Sequence, residues 1–89
     1  MEKSANVKIV LVDKHLVLLD CFCNYLVSQS FDSFRAYHAS QAVLKDLEQK
    51  RLIPEYMIVE YTMPSIKGDE LLSKAASICP SVRGFLMVA

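Results

Sequence analysis

"PEYMIVEYTMPSIKGDELL", residues 54–72, is the stretch whose reading decides the fold. Its first half contains YMIVE (56–60), a short apolar run that stops at an acid. Unbroken apolar character over so few residues marks a strand buried on both faces, the kind found in parallel sheets. A loop with Pro64 follows, and Gly68 and Asp69 open a helix, DELLSKAAS, that ends near Pro80. Strand, loop and helix in that order form one unit of an α/β sheet. The clefts of such sheets lie beyond the carboxyl ends of the strands, where Glu60 stands.

Outward from this unit the pattern repeats. VKIVLV (7–12) is a second buried run and ends at Asp13. HLVLLDCFCNYLVSQ (15–29) reads as a long apolar helix and FRAYHA (34–39) as a weaker strand. Ser40 is placed to cap a helix over about 41–50, with Val43, Leu44 and Leu47 facing in and Pro54 stopping the segment. GFLMVA (84–89) is a last strand. The order βαβαβαβ implies a three-layer α/β domain over 1–89, with a parallel sheet, helices on both faces and right-handed crossovers. Asp13 and Glu60, at the ends of the first and third strands, are thereby brought together.

Composition narrows the function. The 89 residues suffice for one small core, yet 53% are hydrophobic, so part of the apolar excess is expected to face a protein partner. Ten basic and ten acidic residues balance, which argues against direct nucleic-acid binding. No apolar run is long enough to span a bilayer, and the amino terminus does not read as a signal peptide; a cytoplasmic protein is expected. Cys21, Cys23 and Cys79 are odd in number. Cys21 and Cys23 point about 200° apart on a helix, so they share no metal and read as buried or half-buried thiols. His15 follows the first acid and is placed to lie at the mouth of the cleft, but neither it nor His38 has a persuasive partner at ligand spacing; the bland reading is preferred for both, and no cofactor is expected.

The sequence resembles the receiver domain of bacterial two-component response regulators. VKIVLVDKH (7–15) is similar to the receiver opening, a strand followed by an acidic pair. PEYMIVEYTMPSIKGDELL is similar to its centre, where the third strand ends in the phospho-accepting aspartate, followed by Met-Pro and then a Gly. CPSVRGFLMVA (79–89) is similar to the fourth strand, entered through a Pro. The resemblance implies a flavodoxin-like sheet of order 2-1-3-4, truncated after strand four. It also implies a site of one nucleophilic aspartate, acids that hold Mg²⁺, and a Thr or Ser and a Lys that bind the phosphoryl group.

This chain departs from that site. Glu60 takes the nucleophile position, one methylene too long for an in-line geometry that tolerates little misplacement. Lys14 replaces the second acid of the pair, and Val88 stands where the hydroxyl is expected. The fifth strand and its Lys are absent. Asp13 and the backbone carbonyl of Thr62 alone match metal ligands. The expectation is a non-catalytic pseudo-receiver, not an enzyme, acting through protein–protein contact in signalling or transcriptional control. Glu60 then imitates a phosphorylated aspartate, pairs with Lys14 as a remnant, or binds a metal weakly with Asp13. The alternatives are the receiver part of a longer DNA-binding regulator, and a receiver that still accepts a phosphoryl group at an altered site.

The truncation implies an open edge at strand four and a bare sheet face beside the first helix. At about 100° per residue, Leu18, Cys21, Phe22, Tyr25 and Leu26 form a broad face assigned to the core. Leu16, Leu19, Cys23 and Val27 form a second apolar stripe, assigned to a homodimer or partner interface.

Overall fold

The computed structural model describes residues 5–88. Four strands, β1 (Asn6–Val12), β2 (Phe34–Tyr37), β3 (Ile53–Glu60) and β4 (Arg83–Met87), alternate with α1 (Leu16–Ser28), α2 (Ser40–Glu48) and α3 (Gly68–Ile78). All pairings are parallel and the sheet order is β2-β1-β3-β4. The fold is the expected three-layer α/β sheet. Ala89, the last residue of the expected final strand, lies outside the described residues.

Register fixes the layers, because side chains alternate across a strand. Val10 and Val12 of β1 pair with Met57 and Val59 of β3, and all four are buried. They form one core with Val43 and Leu47 of α2 and Leu71 and Ala75 of α3. The other face carries Ile9, Leu11, Tyr56, Ile58 and Phe85. Among the described residues only α1 covers the sheet there. Leu11 and Leu19 are buried outside the main core, whereas Phe85 is 53% exposed.

Several boundaries differ from the sequence expectation. β3 begins at Ile53, so Pro54 lies inside a strand. The Ile53 N–H donates to Ala5 O, so the next residue's nitrogen points to the opposite side. β4 does not start there until the Tyr56–Arg83 pair, and a proline without an N–H is tolerated. Ser40 is the first residue of α2 and does not cap it; its hydroxyl donates to Ile66 O at 2.9 Å, tying α2 to the β3–α3 loop. Neither α1 nor α2 ends on glycine. Ser30 (φ 61°) and Lys50 (φ 59°) take the left-handed conformation, and Phe31 N and Arg51 N close back to Leu26 O and Asp46 O, both at 2.9 Å.

The largest correction concerns α1. Leu19 is buried and Cys23 and Leu26 are half-buried, so the core-facing line runs through these three. Leu18, Phe22 and Tyr25, assigned to the core, are 46%, 36% and 62% exposed, and Cys21 is exposed as well. Of the assigned interface stripe, Leu16 and Val27 are exposed but Leu19 and Cys23 are not. A helix that is apolar all round has no preferred face of its own; the crossover onto the sheet selects one. All three cysteines are free, and burial, helped by the negative charge of Asp20, pushes the Cys23 thiol up.

Candidate functional site

The carboxyl ends of β1 and β3 lie side by side, with Val12 level with Val59. Asp13 and Glu60, one residue further on, therefore meet at the sheet end. Asp13 is 2% exposed, deep for a carboxyl. It caps the turn into α1, because Oδ1 accepts the His15 N–H at 2.8 Å. That turn brings the His15 ring back over the site. Nδ1 lies 3.1 Å from Asp13 Oδ1 and 3.4 Å from Glu60 Oε2. The sequence reading set His15 at the mouth of the site but favoured a bland residue with no ligand role. The signal lay in its place two residues after Asp13, the reach of an Asx-type turn.

On the other side of Glu60 stands Lys14. Its Nζ donates to Thr62 O at 2.6 Å and to Thr62 Oγ1 at 3.0 Å, and lies 3.7 Å from Glu60 Oε1. Thr62 Oγ1 donates in turn to Glu60 Oε1 at 2.7 Å. Oε1 is thus well served, while Oε2 is buried without a hydrogen-bond partner among the described residues. The Glu60 carboxyl is lowered from its usual value to about 2. Hydrogen bonding within the Asp13–Glu60 pair is the first cause; the Thr62 hydroxyl and the positive fields of Lys14 and His15 add to it, and burial opposes them.

The β3–α3 loop is held by backbone geometry. Met63 is buried beneath it. Ser65 has φ 72°, and Ile66 N closes a tight turn onto Pro64 O at 2.9 Å. Gly68 N donates to Tyr61 O at 2.9 Å. A Cβ at Gly68 would press on the Glu60 carbonyl and lie 2.8 Å from Leu86 Cδ1, so glycine lets α3 start against the strand end. This accounts physically for a Gly at this distance from the acid. Val88 is 70% exposed and lines, with Asp13, His15, Leu18, Glu60 and Met87, a cleft of about 250 Å³. A larger hollow of about 350 Å³ lies at the amino ends of the strands and is lined by the exposed Lys8–Glu55 pair, with no comparable cluster among the described residues.

A 2-1-3-4 parallel sheet with an acid at the ends of β1 and β3 is the fold of a response-regulator receiver domain. Comparison with solved structures bears this out. A response regulator from Burkholderia pseudomallei, solved with a phosphorylated aspartic acid, calcium ion and citrate, superposes with a TM-score of 0.77 at 16% identity, over 92% of this chain and 46% of that one. The signal receiver domain of the response regulator NarL from Mycobacterium tuberculosis gives 0.74 at 20% identity, over 94% of this chain and 67% of that one. RcsB from Salmonella typhimurium gives 0.71 at 18% identity, over 93% and 42%. The chain therefore spans less than half the length of two of these three proteins. No family model matches the chain, and no curated protein does.

The fold implies a divalent cation of the Mg²⁺ class at this sheet end. The side chains present do not fit it. Mg²⁺ needs six oxygens in a near-regular octahedron. Here the Lys14 ammonium already occupies the Thr62 carbonyl and faces Glu60 Oε1. With the Thr62 carbonyl taken by Lys14 and a lysine where a second acid is needed, too few oxygens remain for an octahedral ion.

Proposed function

We propose that this chain is a pseudo-receiver, a signalling module that does not take a phosphoryl group at the usual position and acts through protein contacts. One observation carries the reading: the Lys14 ammonium sits on Thr62 O and beside Glu60 Oε1, where a receiver's metal would bridge loop and acid. The lysine acts as a tethered cation. It neutralises Glu60 and holds the β3–α3 loop in one shape without metal or phosphate. Glu60 is then a structural ion-pair partner in a disused nucleophile position. Val88 offers no hydrogen bond to a transferred phosphoryl group.

The contacting surface lies on the α1 side of the sheet. Leu18, Phe22, Tyr25 and Phe85 are exposed there, with Leu16 and Val27 at the flanks of the helix. Contiguous exposed apolar side chains of this kind mark interaction sites. A second copy of the chain is the proposed partner, by analogy with RcsB, which has been seen as dimers bound to DNA.

Incubation with a small phosphodonor and Mg²⁺, read by intact mass, tests the first part. No phosphoryl adduct is expected; a stable adduct on Glu60 or Asp13 overturns the reading. Sedimentation at micromolar concentration tests the second part. A dimer that dissociates with Phe22→Glu supports it, and a monomeric wild-type chain refutes it.

A further inference from the structure

The misfit to Mg²⁺ leaves part of the site unexplained. Lys14 and Thr62 satisfy one oxygen of Glu60, but the other, Oε2, is buried on the side facing His15 and makes no hydrogen bond among the described residues. There the three groups Asp13, His15 and Glu60 each offer one ligand atom, all within 4.8 Å of one another. A tetrahedral ion with bonds of about 2.0–2.1 Å holds its ligands about 3.3 Å apart. His15 Nδ1 is 3.1 Å from Asp13 Oδ1 and 3.4 Å from Glu60 Oε2. The adjoining cleft leaves room for water as a fourth ligand.

We propose that Asp13, His15 and Glu60 bind a divalent transition-metal ion of the Zn²⁺ class, on the face of Glu60 opposite Lys14. An imidazole with two carboxylates selects such an ion over Mg²⁺, which takes oxygen ligands and keeps most of its water. The set is mixed, and His15 is the group that discriminates. Lys14 and the metal engage different oxygens of the same carboxylate, so Lys14 need not leave Thr62. Each of the three ligand atoms must offer a lone pair to the ion, so protons displaced on binding pass to the bulk buffer. The ion would bridge the start of α1 to the end of β3, making the bare α1 face responsive to metal. The inference rests on reading Lys14 as the occupant of the magnesium position.

The test is titration of the full chain with ZnCl₂ and, separately, MgCl₂, followed by calorimetry and by amide and imidazole shifts. Zn²⁺ is expected to give saturable one-to-one binding that moves His15, Asp13 and Glu60. Binding should weaken at least about tenfold in His15→Gln, since even an outer-shell partner is commonly worth that much. Titration with Co²⁺ guards against the free thiols, because sulfur ligation adds an intense near-ultraviolet charge-transfer band and an N/O site does not. Zn²⁺ that leaves the His15 shifts unmoved up to about 1 mM overturns the proposal. So does binding that survives His15→Gln, or that carries the thiolate band and is lost in a cysteine-free variant. The Mg²⁺ arm is read separately. Mg²⁺ that shifts Thr62 and releases Lys14 refutes the tethered-cation reading, whatever Zn²⁺ does.

Discussion

Replacing Gly68 by alanine tests the coupling between the helix start and the site. A Cβ built there lies 2.9 Å from Glu60 C and 2.8 Å from Leu86 Cδ1, against an ordinary contact limit of 3.4 Å. Leu86 is a side chain and can rotate. The Glu60 peptide cannot, because Tyr61 N is bonded to Met87 O at 2.8 Å and the strand pairs on both sides. Helix and strand must therefore separate by at least 0.5 Å at this point. Overpacking of this kind costs about 1–3 kcal/mol. Alanine recovers up to about 1 kcal/mol of helix propensity and unfolded-state entropy, less at the first helical position. The net expectation is a loss of about 1–2 kcal/mol. With a urea slope near ~1 kcal/mol/M for a chain of this size, the midpoint followed by far-ultraviolet circular dichroism falls by about 1–2 M. Amide shifts at Glu60 and Tyr61 should move with it. An unchanged or raised midpoint would refute the claim that a bare Cα is required here.

Ser30→Gly and Lys50→Gly remove side chains from left-handed positions, and each is expected to stabilise by about 0.5–1 kcal/mol in the same urea assay. Leu47→Ala, in the fully buried core, should cost about 2–5 kcal/mol, whereas Val17→Ala, 79% exposed, should lie within about 0.5 kcal/mol of wild type. The folded-state pKa of Glu60 lies below its ordinary 4.5, at about 2. Its contribution to stability is therefore full above pH 4.5 and lost as pH falls through about 2. Melting curves over this range should show a steeper acid decline for wild type than for Glu60→Gln; parallel declines would remove Glu60 from the acid response. Lys14→Ala should loosen Thr62, seen as faster amide exchange across 61–66, while protection in α2 is kept.

The sheet was legible because its evidence is local. YMIVE and VKIVLV are too short and too apolar for anything but buried strands, and the segments between them have the length of crossover helices. The acids that end those runs meet because β1 lies beside β3, an order that the resemblance to receivers implied. The places of Lys14, Glu60 and Val88 around the sheet end were also legible, because each stands at a fixed offset from a strand end. The α1 assignment failed for the opposite reason. With leucine, valine, phenylalanine, tyrosine and cysteine around most of the helix, hydrophobic periodicity had no contrast to report.

The sequence by itself determined the order of elements and the buried strands, since periodicity and run length are properties of neighbouring residues; the resemblance to receivers added the meeting of Asp13 with Glu60. Tertiary structure alone decided three things: that Leu19 and not Phe22 faces the sheet, that Lys14 reaches Thr62, and that His15 turns back over Glu60. Each depends on where a crossover lays a helix or a turn aims a side chain. Those directions are set by packing and backbone hydrogen bonds between segments far apart in the chain.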